Sequence, residues 1–183
     1  MQVLVEEKKK PAFYQSLKGI LSTTHHTDIG ILYIATAFFF FIMGGVAALL
    51  IRTQLAEPNN AVVTSQIYDS LFTTHGTTMI FLWVIPLFTG FANYFVPKLI
   101  GARDMYFPRL NALSYWLLPI AGTLIWVGLP DAGWTGYAPL SVVSQGYGID
   151  LWILGLVVIG TTSVLGAVNF IATIFKLRAP GIL

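Results

Sequence analysis

Residues 70–97 are 28 consecutive positions that contain no Lys, Arg, Asp or Glu. About 20 mainly apolar residues, each rising 1.5 Å along a helix, are enough to cross the hydrocarbon core of a bilayer. One imidazole, that of His75, interrupts this run. An ionisable side chain at membrane depth costs free energy, so we expect it to face the interior of a helix bundle and to serve a function. The run therefore predicts a membrane-spanning helix built around His75.

Three further charge-free apolar runs occupy residues 29–51, 110–130 and 151–175. Each exceeds the roughly 18 residues that indicate a transmembrane helix. Only 10% of the residues are charged, whereas about 25% are charged in ordinary soluble domains. These patterns predict an all-α integral membrane protein with four transmembrane helices and favour neither a soluble enzyme nor a nucleic-acid-binding surface. The sequence has no cysteine, which excludes disulfides and iron–sulfur clusters held by this chain.

The segment before the first run is polar at its start and amphipathic later. Within residues 11–21, apolar side chains such as Phe13 and Leu17 recur at helical spacing. This spacing favours a short amphipathic helix lying at the cytoplasmic membrane surface. No apolar stretch precedes a small-residue cleavage site, so we expect no cleavable signal peptide. We divide the chain into an N-terminal cytoplasmic segment, 1–28, and a bundle of four transmembrane helices, 29–183.

Lysine and arginine are distributed unequally between the two ends of the predicted helices. If the helices alternate in direction, nine cationic residues lie on one side. They are Lys8, Lys9, Lys10, Lys18, Lys98, Arg103, Arg109, Lys176 and Arg178. The other side has Arg52 alone. Because cytoplasmic segments of membrane proteins carry the excess of Lys and Arg, this pattern predicts that both termini are cytoplasmic.

His75 has two interpretations from the residues alone. A neutral imidazole binds iron, copper, zinc or nickel, and Gly76 beside it has no side chain to keep a bulky group away. Alternatively, His75 is a buried histidine that forms a hydrogen bond to a neighbouring helix. His25 and His26 are adjacent in the polar segment before the first helix, and adjacent residues on a helix point about 100° apart. We therefore expect those two at the membrane interface rather than as ligands of one metal.

The position of His75 along its helix follows from helical geometry. If the helix begins at Ser70, His75 lies about 8 Å from its outer end at 1.5 Å per residue. Asn93 follows 18 residues later, which is five turns of about 3.6 residues, so both side chains project from nearly the same face. Pro86 lies between them and is expected to kink the helix, which makes this coincidence approximate.

Three asparagines and one aspartate gather at the predicted cytoplasmic end. Asn93 lies near the end of the second helix, Asn111 opens the third, Asn169 lies near the end of the fourth, and Asp104 is in the loop between the second and third. One hypothesis is a hydrated path in which Asp104 collects protons and the amides hold water. The alternative is that the amides cap or bridge helices and that Asp104 pairs with an arginine of the same loop.

Six segments together resemble the large catalytic subunit (subunit I) of haem–copper oxidases, of the cytochrome c or quinol oxidase type. They are THHTDIGILY, LLIRTQL, TTHGTTMIF, FANYFVPKLIGARDMYFPRLNALSYWLLP, GWTGYAPL and GAVNFIATIFKLRAPG. These segments follow the family's order from residue 24 to residue 181. The resemblance covers the N-terminal third of such a subunit, and it implies the first four helices of a twelve-helix bundle.

The resemblance implies a haem site. His75 matches an axial ligand of the six-coordinate, low-spin haem, which is of a or b type in the family. Arg52 matches an arginine that lies against a substituent of that haem, and Trp134 and Tyr137 match the outer loop over its propionates. A single histidine supplies a single axial position. The second ligand, the high-spin haem and the copper site are therefore expected in later helices, and this chain is not expected to reduce oxygen alone.

The resemblance also implies a proton-uptake channel. Asp104 matches the mouth of that channel, and Asn93, Asn111 and Asn169 match the amides that line its first section. Ala112 is a departure, because many relatives have a second asparagine there. The resemblance therefore implies the channel but not an amide at this position of its lining.

The activity implied by the resemblance is that of a proton-translocating terminal oxidase, which reduces O₂ to water. The implied partners are the remaining helices of subunit I, subunits II and III, membrane lipid, and an electron donor, which is cytochrome c, another small redox protein or quinol. The expected location is a prokaryotic plasma membrane. Two alternatives are kept: a non-enzymatic haem-binding or scaffolding membrane module, and a relative similar to nitric oxide reductases.

Overall fold

The computed structural model describes residues 19, 22–144 and 146–181, which form helices joined by turns and loops. Four helices are long and apolar enough to cross a membrane: α1 (His26–Gln54), α2 (Ser65–Leu99), α3 (Pro108–Gly128) and α5 (Gly148–Leu177). A short helix, α4 (Leu140–Val143), lies between α3 and α5. These four helices confirm the predicted fold class. The amphipathic helix expected at 11–21 lies outside the described residues, apart from Gly19.

The helix ends differ from the ends of the apolar runs because caps, not hydropathy, decide where helical hydrogen bonding starts. The Thr64 hydroxyl accepts a hydrogen bond from the Ile67 N–H at 3.3 Å, and α2 therefore begins at Ser65. At α1, the His25 side chain accepts from the Thr27 N–H at 3.3 Å. Such caps satisfy N–H groups that have no partner within the first turn. Helix α3 ends earlier than its apolar run, because the residue that follows it adopts a left-handed conformation.

Helix α2 contains a π-helical segment, which the sequence did not reveal. An α-helical part, Ser65–Thr77, passes into a π-helix, Thr78–Val84, and returns to an α-helix, Ile85–Leu99. Within it the Ile85 N–H donates to the Ile80 carbonyl, five residues back. Pro86 explains the location, since proline lacks an N–H and its ring crowds the preceding turn. The sequence predicted a kink at Pro86, and the structure has a π-helix directly before that proline.

Two close helix pairs build the bundle. Helix α1 packs along α2, α3 packs along α5, and the pairs meet chiefly where α1 contacts α3. Buried side chains between them include Ile29, Leu82 and Leu118. Helices α1 and α2 come close together at Gly30 and Gly90, where a Cβ built on Gly30 would lie 2.9 Å from the Gly90 carbonyl oxygen. Small residues of this kind allow helix backbones to come together in lipid.

The outward faces of the spanning helices are strongly apolar. Leu49, Phe88, Val127 and Phe175 are among the large apolar side chains that remain exposed, one on each spanning helix. Exposed apolar area of this extent requires hydrocarbon or further helices around it. The chain is therefore an integral membrane protein.

The Gly30–Gly90 contact predicts a specific sensitivity to added volume. Gly30→Ala would place a methyl group 2.9 Å from one main-chain atom and 3.0 Å from another, so the helices must separate. We expect a loss of about 1–3 kcal/mol of stability, as is typical of overpacking. Gly45→Ala is the matched control, because a Cβ at Gly45 meets nothing within 4 Å. Thermal unfolding in detergent measures both, and equal midpoints would contradict the assigned contact.

Candidate functional site

His75 lies in the α-helical part of α2, and its imidazole points to α1. Nδ1 of His75 lies 2.9 Å from the carbonyl oxygen of Gly44. Since a carbonyl only accepts hydrogen bonds, this contact assigns the proton to Nδ1 and leaves the lone pair on Nε2. Because α2 begins at Ser65, His75 lies about 15 Å from the start of its helix at 1.5 Å per residue, rather than the expected 8 Å or so.

The hydrogen bond agrees with both interpretations of His75. It is the contact to a neighbouring helix that the structural interpretation requires. It is also the arrangement found in metal sites, where a ligating histidine donates its other N–H to a carbonyl or carboxylate and its orientation is thereby fixed. Because His75 is only half-buried, the imidazole is not enclosed by this chain. The residues present therefore fit a haem iron at Nε2.

The π-helix begins three residues after His75, at Thr78. Insertions of this kind in α-helices frequently occur at functional sites. Seven residues of α2 do not follow the 3.6-residue repeat, so the 18 residues from His75 to Asn93 are no longer five regular turns. A shared face for the two side chains therefore no longer follows from regular helical geometry.

Trp134 of the loop between α3 and α5 packs against the helix that carries His75. A Cβ built on Gly76 would lie 2.9 Å from Cγ of Trp134, so the space left by this glycine is used by the indole. The same loop is tied to α2 by a hydrogen bond of 2.9 Å from the Gly133 N–H to the Thr73 hydroxyl. Tyr137 is 77% exposed.

Arg52 lies in the last turn of α1 and is exposed. Eight residues separate it from Gly44, which corresponds to about 12 Å along the helix. It therefore lies two turns beyond the level of His75, at the end of the bundle opposite Asp104. We call these the Arg52 end and the Asp104 end.

At the Asp104 end, His26 connects the aspartate to Asn93. The His26 N–H and the Met105 N–H both donate to Oδ1 of Asp104, at 3.1 and 2.8 Å. Nδ1 of His26 donates to the carbonyl oxygen of Asn93 at 2.8 Å. His26 is 3% exposed, so it is a buried member of this cluster at the start of α1. Sequence reasoning missed it because its partners are 67 and 78 positions away.

Asn169 holds the loop that carries Asp104. Its Oδ1 accepts from the Phe107 N–H at 2.9 Å, and its Nδ2 donates to the Phe107 carbonyl at 3.2 Å. One turn along α5, the Thr173 hydroxyl accepts from the Tyr106 N–H at 3.0 Å. Both polar atoms of Asn169 are therefore occupied by main chain. This is the bridging role of the alternative interpretation.

Asn93 and Asn111 differ from Asn169, because buried polar atoms of both have no partner among the described residues. These atoms are Oδ1 of Asn93 and both Oδ1 and Nδ2 of Asn111. A buried polar atom without a hydrogen bond costs about 1–3 kcal/mol, and sites of this kind commonly hold ordered water. The two amides are therefore suited to bind water close to Asp104.

The polar atoms continue from Asn111 into the bundle. The Ser114 hydroxyl donates to the Asn111 carbonyl at 2.8 Å, and the Tyr33 hydroxyl donates to Oγ of Ser114 at 3.1 Å. Tyr33 lines a cavity of about 260 Å³, together with Thr162 and Ser163 of α5. These hydroxyl groups extend the polar region from Asn111 to the cavity.

Comparison with known proteins places residues 28–183 in the family described as Cytochrome C and Quinol oxidase polypeptide I. The chain is 50% identical over 157 residues to the cytochrome c oxidase subunit 1 of Synechocystis sp., which covers 84% of this chain and 28% of that protein. It is 49% identical over 166 residues to the corresponding Bacillus subtilis subunit, covering 88% and 27%. For a putative subunit 1-beta of Streptomyces coelicolor, the values are 51% over 168 residues, 87% and 29%. The chain thus spans less than a third of the length of these relatives.

The different environments of the amides predict different effects of the same substitution. Asn169→Ala removes two side-chain hydrogen bonds to the Phe107 main chain, so we expect a loss of roughly 2 kcal/mol in stability. Asn111→Ala opens a similar volume but removes no described side-chain hydrogen bond, so its effect should be smaller. Thermal unfolding of both variants compares them. Equal losses would show that Asn169 does not hold the loop.

Proposed function

This chain belongs to the Cytochrome C and Quinol oxidase polypeptide I family, and from that premise we propose that it binds the low-spin haem of a respiratory oxidase subunit I and forms the mouth of its proton-uptake channel. The observation that carries the haem assignment is the hydrogen bond from Nδ1 of His75 to the Gly44 carbonyl. It fixes the tautomer that presents an unprotonated Nε2 to a metal.

When bound, the low-spin haem supplies reversible one-electron transfer. Nε2 of His75 would bind the haem iron, and the Gly44 carbonyl would set the orientation and basicity of the imidazole. Trp134, held against Gly76 beside His75, would cover the site at the Arg52 end. We propose, following the resemblance, that Arg52 lies against a haem substituent and that Tyr137 belongs to the same outer loop.

At the opposite end, Asp104 would attract protons to the channel mouth. A half-buried carboxylate held by two main-chain N–H groups keeps a fixed position, and its negative charge raises the local proton concentration. Asn93 and Asn111 would hold the first waters, a role supported by their unpartnered amide atoms. Asn169 would contribute by holding the loop, and His26 by linking Asp104 to the end of α2.

The activity of the whole protein follows as part of the same proposal. The chain would form four helices of a subunit I that reduces O₂ to water and couples this to proton pumping. The remaining helices would supply the second axial ligand, the high-spin haem and the copper site. Subunits II and III and an electron donor complete the assembly, the donor being cytochrome c, another small redox protein or quinol. We place it in a prokaryotic plasma membrane with both termini in the cytoplasm, on the basis of the Lys and Arg distribution.

Among the functions considered, the oxidase is favoured by the comparisons. The three relatives described above are named as cytochrome c oxidase subunits. The partnerless amides next to Asp104 also favour a hydrated channel over a scaffolding module, since a scaffold has no need of buried polar atoms that lack partners.

The haem assignment predicts the effect of one substitution. His75→Ala in the assembled oxidase should abolish the low-spin haem band in reduced-minus-oxidised spectra, because one axial ligand is lost. His25→Ala is the control, since His25 lies at the start of α1, at the other end of the bundle. A low-spin band of unchanged intensity in His75→Ala would show that another residue is the ligand.

The channel assignment predicts a loss of a different kind. Asp104→Asn should slow proton uptake and reduce the number of protons pumped per electron, whereas the low-spin haem band stays intact. Asp28→Asn is the control, because Asp28 lies at the same end of the bundle but its described partner is Thr23. Proton release from reconstituted vesicles after an oxygen pulse measures the effect. Normal pumping in Asp104→Asn would remove Asp104 from the proposed path.

A further inference from the structure

Three contacts hold the stretch of α2 that carries His75 from the outside. The Thr73 hydroxyl accepts from the Gly133 N–H at 2.9 Å. The Trp134 indole fills the space beside Gly76. The Thr77 hydroxyl accepts from Nε1 of Trp152 at 3.0 Å. These contacts come from the loop between α3 and α5 and from α5 itself, and all of them fall within five residues of α2.

Two of the three contacts, those at Thr73 and Thr77, lie on the side of α2 that faces away from α1. At about 100° per residue, His75 points roughly 160° away from both Thr73 and Thr77. The His75 side forms its hydrogen bond with Gly44 of α1. This part of α2 is therefore held between α1 on one side and the tryptophan-bearing elements on the other.

The Trp152–Thr77 bond acts at the junction between the α-helical part of α2 and the π-helix. Thr77 is the last residue before the π-helix, in which the hydrogen bonding changes from four residues back to five. The Thr77 hydroxyl also donates to the Thr73 carbonyl at 2.8 Å, so it serves as acceptor and donor at once. Trp152 is 5% exposed, and its indole N–H can only donate. The bond therefore has a fixed direction.

We propose that Trp152 is a positioning residue for His75, acting through Thr77 to fix the distance between Nδ1 of His75 and the Gly44 carbonyl. The inference rests on the proposed function in one respect, that His75 is the haem ligand. A shorter Nδ1–H···O contact makes Nε2 a stronger electron donor and so stabilises the ferric state. The Trp152 hydrogen bond holds α2 from the side opposite α1. Without it, the turn that carries His75 can move closer to α1, and that stabilisation increases.

The test uses the assembled oxidase with Trp152→Phe, which removes the N–H and retains an aromatic ring. We expect the midpoint potential of the low-spin haem to shift to a more negative value and the g values of its ferric EPR signal to move. Trp126→Phe is the matched control, because Nε1 of Trp126 is buried without a described partner. That variant should leave both quantities at their wild-type values.

A second pair of variants tests the same bond from the other side. Thr77→Val removes the acceptor and should produce the same shift as Trp152→Phe, whereas Thr77→Ser keeps the hydroxyl and should restore the wild-type spectrum. The double variant Trp152→Phe with Thr77→Val should shift no further than the larger single effect, because both changes remove one bond. If Trp152→Phe fails to assemble, the Val and Ser variants decide the question.

The proposal is overturned if Trp152→Phe and Thr77→Val keep the wild-type potential and EPR signal, or if Trp126→Phe shifts them equally. Its failure is distinguishable from failure of the haem assignment. If His75 is the ligand, His75→Ala eliminates the low-spin haem whether or not Trp152 positions that ligand. Loss of the band in His75→Ala, together with unchanged spectra in Trp152→Phe, would therefore reject only the positioning role.

Discussion

Polar groups inside a bilayer must find their partners within the protein, because hydrocarbon offers none. The described helices follow this constraint closely. His75 donates to a main-chain carbonyl of α1, Thr77 donates to the carbonyl one turn earlier, and Asn169 uses both of its amide atoms on the main chain of Phe107. Each of these hydrogen bonds also positions a segment of the chain. The bonds that satisfy buried polar groups therefore also place the functional side chains.

The constraint is met directly in some places and left open in others. Towards the Arg52 end, threonines and tryptophans on α2, α5 and their connecting loop form direct hydrogen bonds and close contacts. Buried atoms without a partner among the described residues occur in the same stretch of α2, at Oγ1 of Thr74 and Thr78, and at the Asp104 end, in the side chains of Asn93 and Asn111. Water commonly partners such atoms.

Much of the fold could be predicted from the sequence, and much of the site could not. Apolar runs longer than a bilayer is thick predicted four spanning helices, because length and hydropathy are properties of the local sequence. The π-helix was missed, since Pro86 predicts a disturbance but not the form it takes. The contacts of His26 were missed for a related reason: hydropathy describes a segment and says nothing about a carboxylate 78 residues away.

The sequence by itself determined that the chain spans a membrane, which residues interrupt the apolar runs, and, through its motifs, the oxidase subunit I family. Tertiary structure alone decided what those residues do to one another. In the packed structure, Asn169 forms hydrogen bonds with the loop main chain. Buried amide atoms of Asn93 and Asn111 have no partner among the described residues, although all three side chains are asparagines. Tertiary structure also set Trp152 behind His75. The physical reason is that a hydrogen bond depends on distances between atoms of different helices, and those distances exist only once the helices have packed.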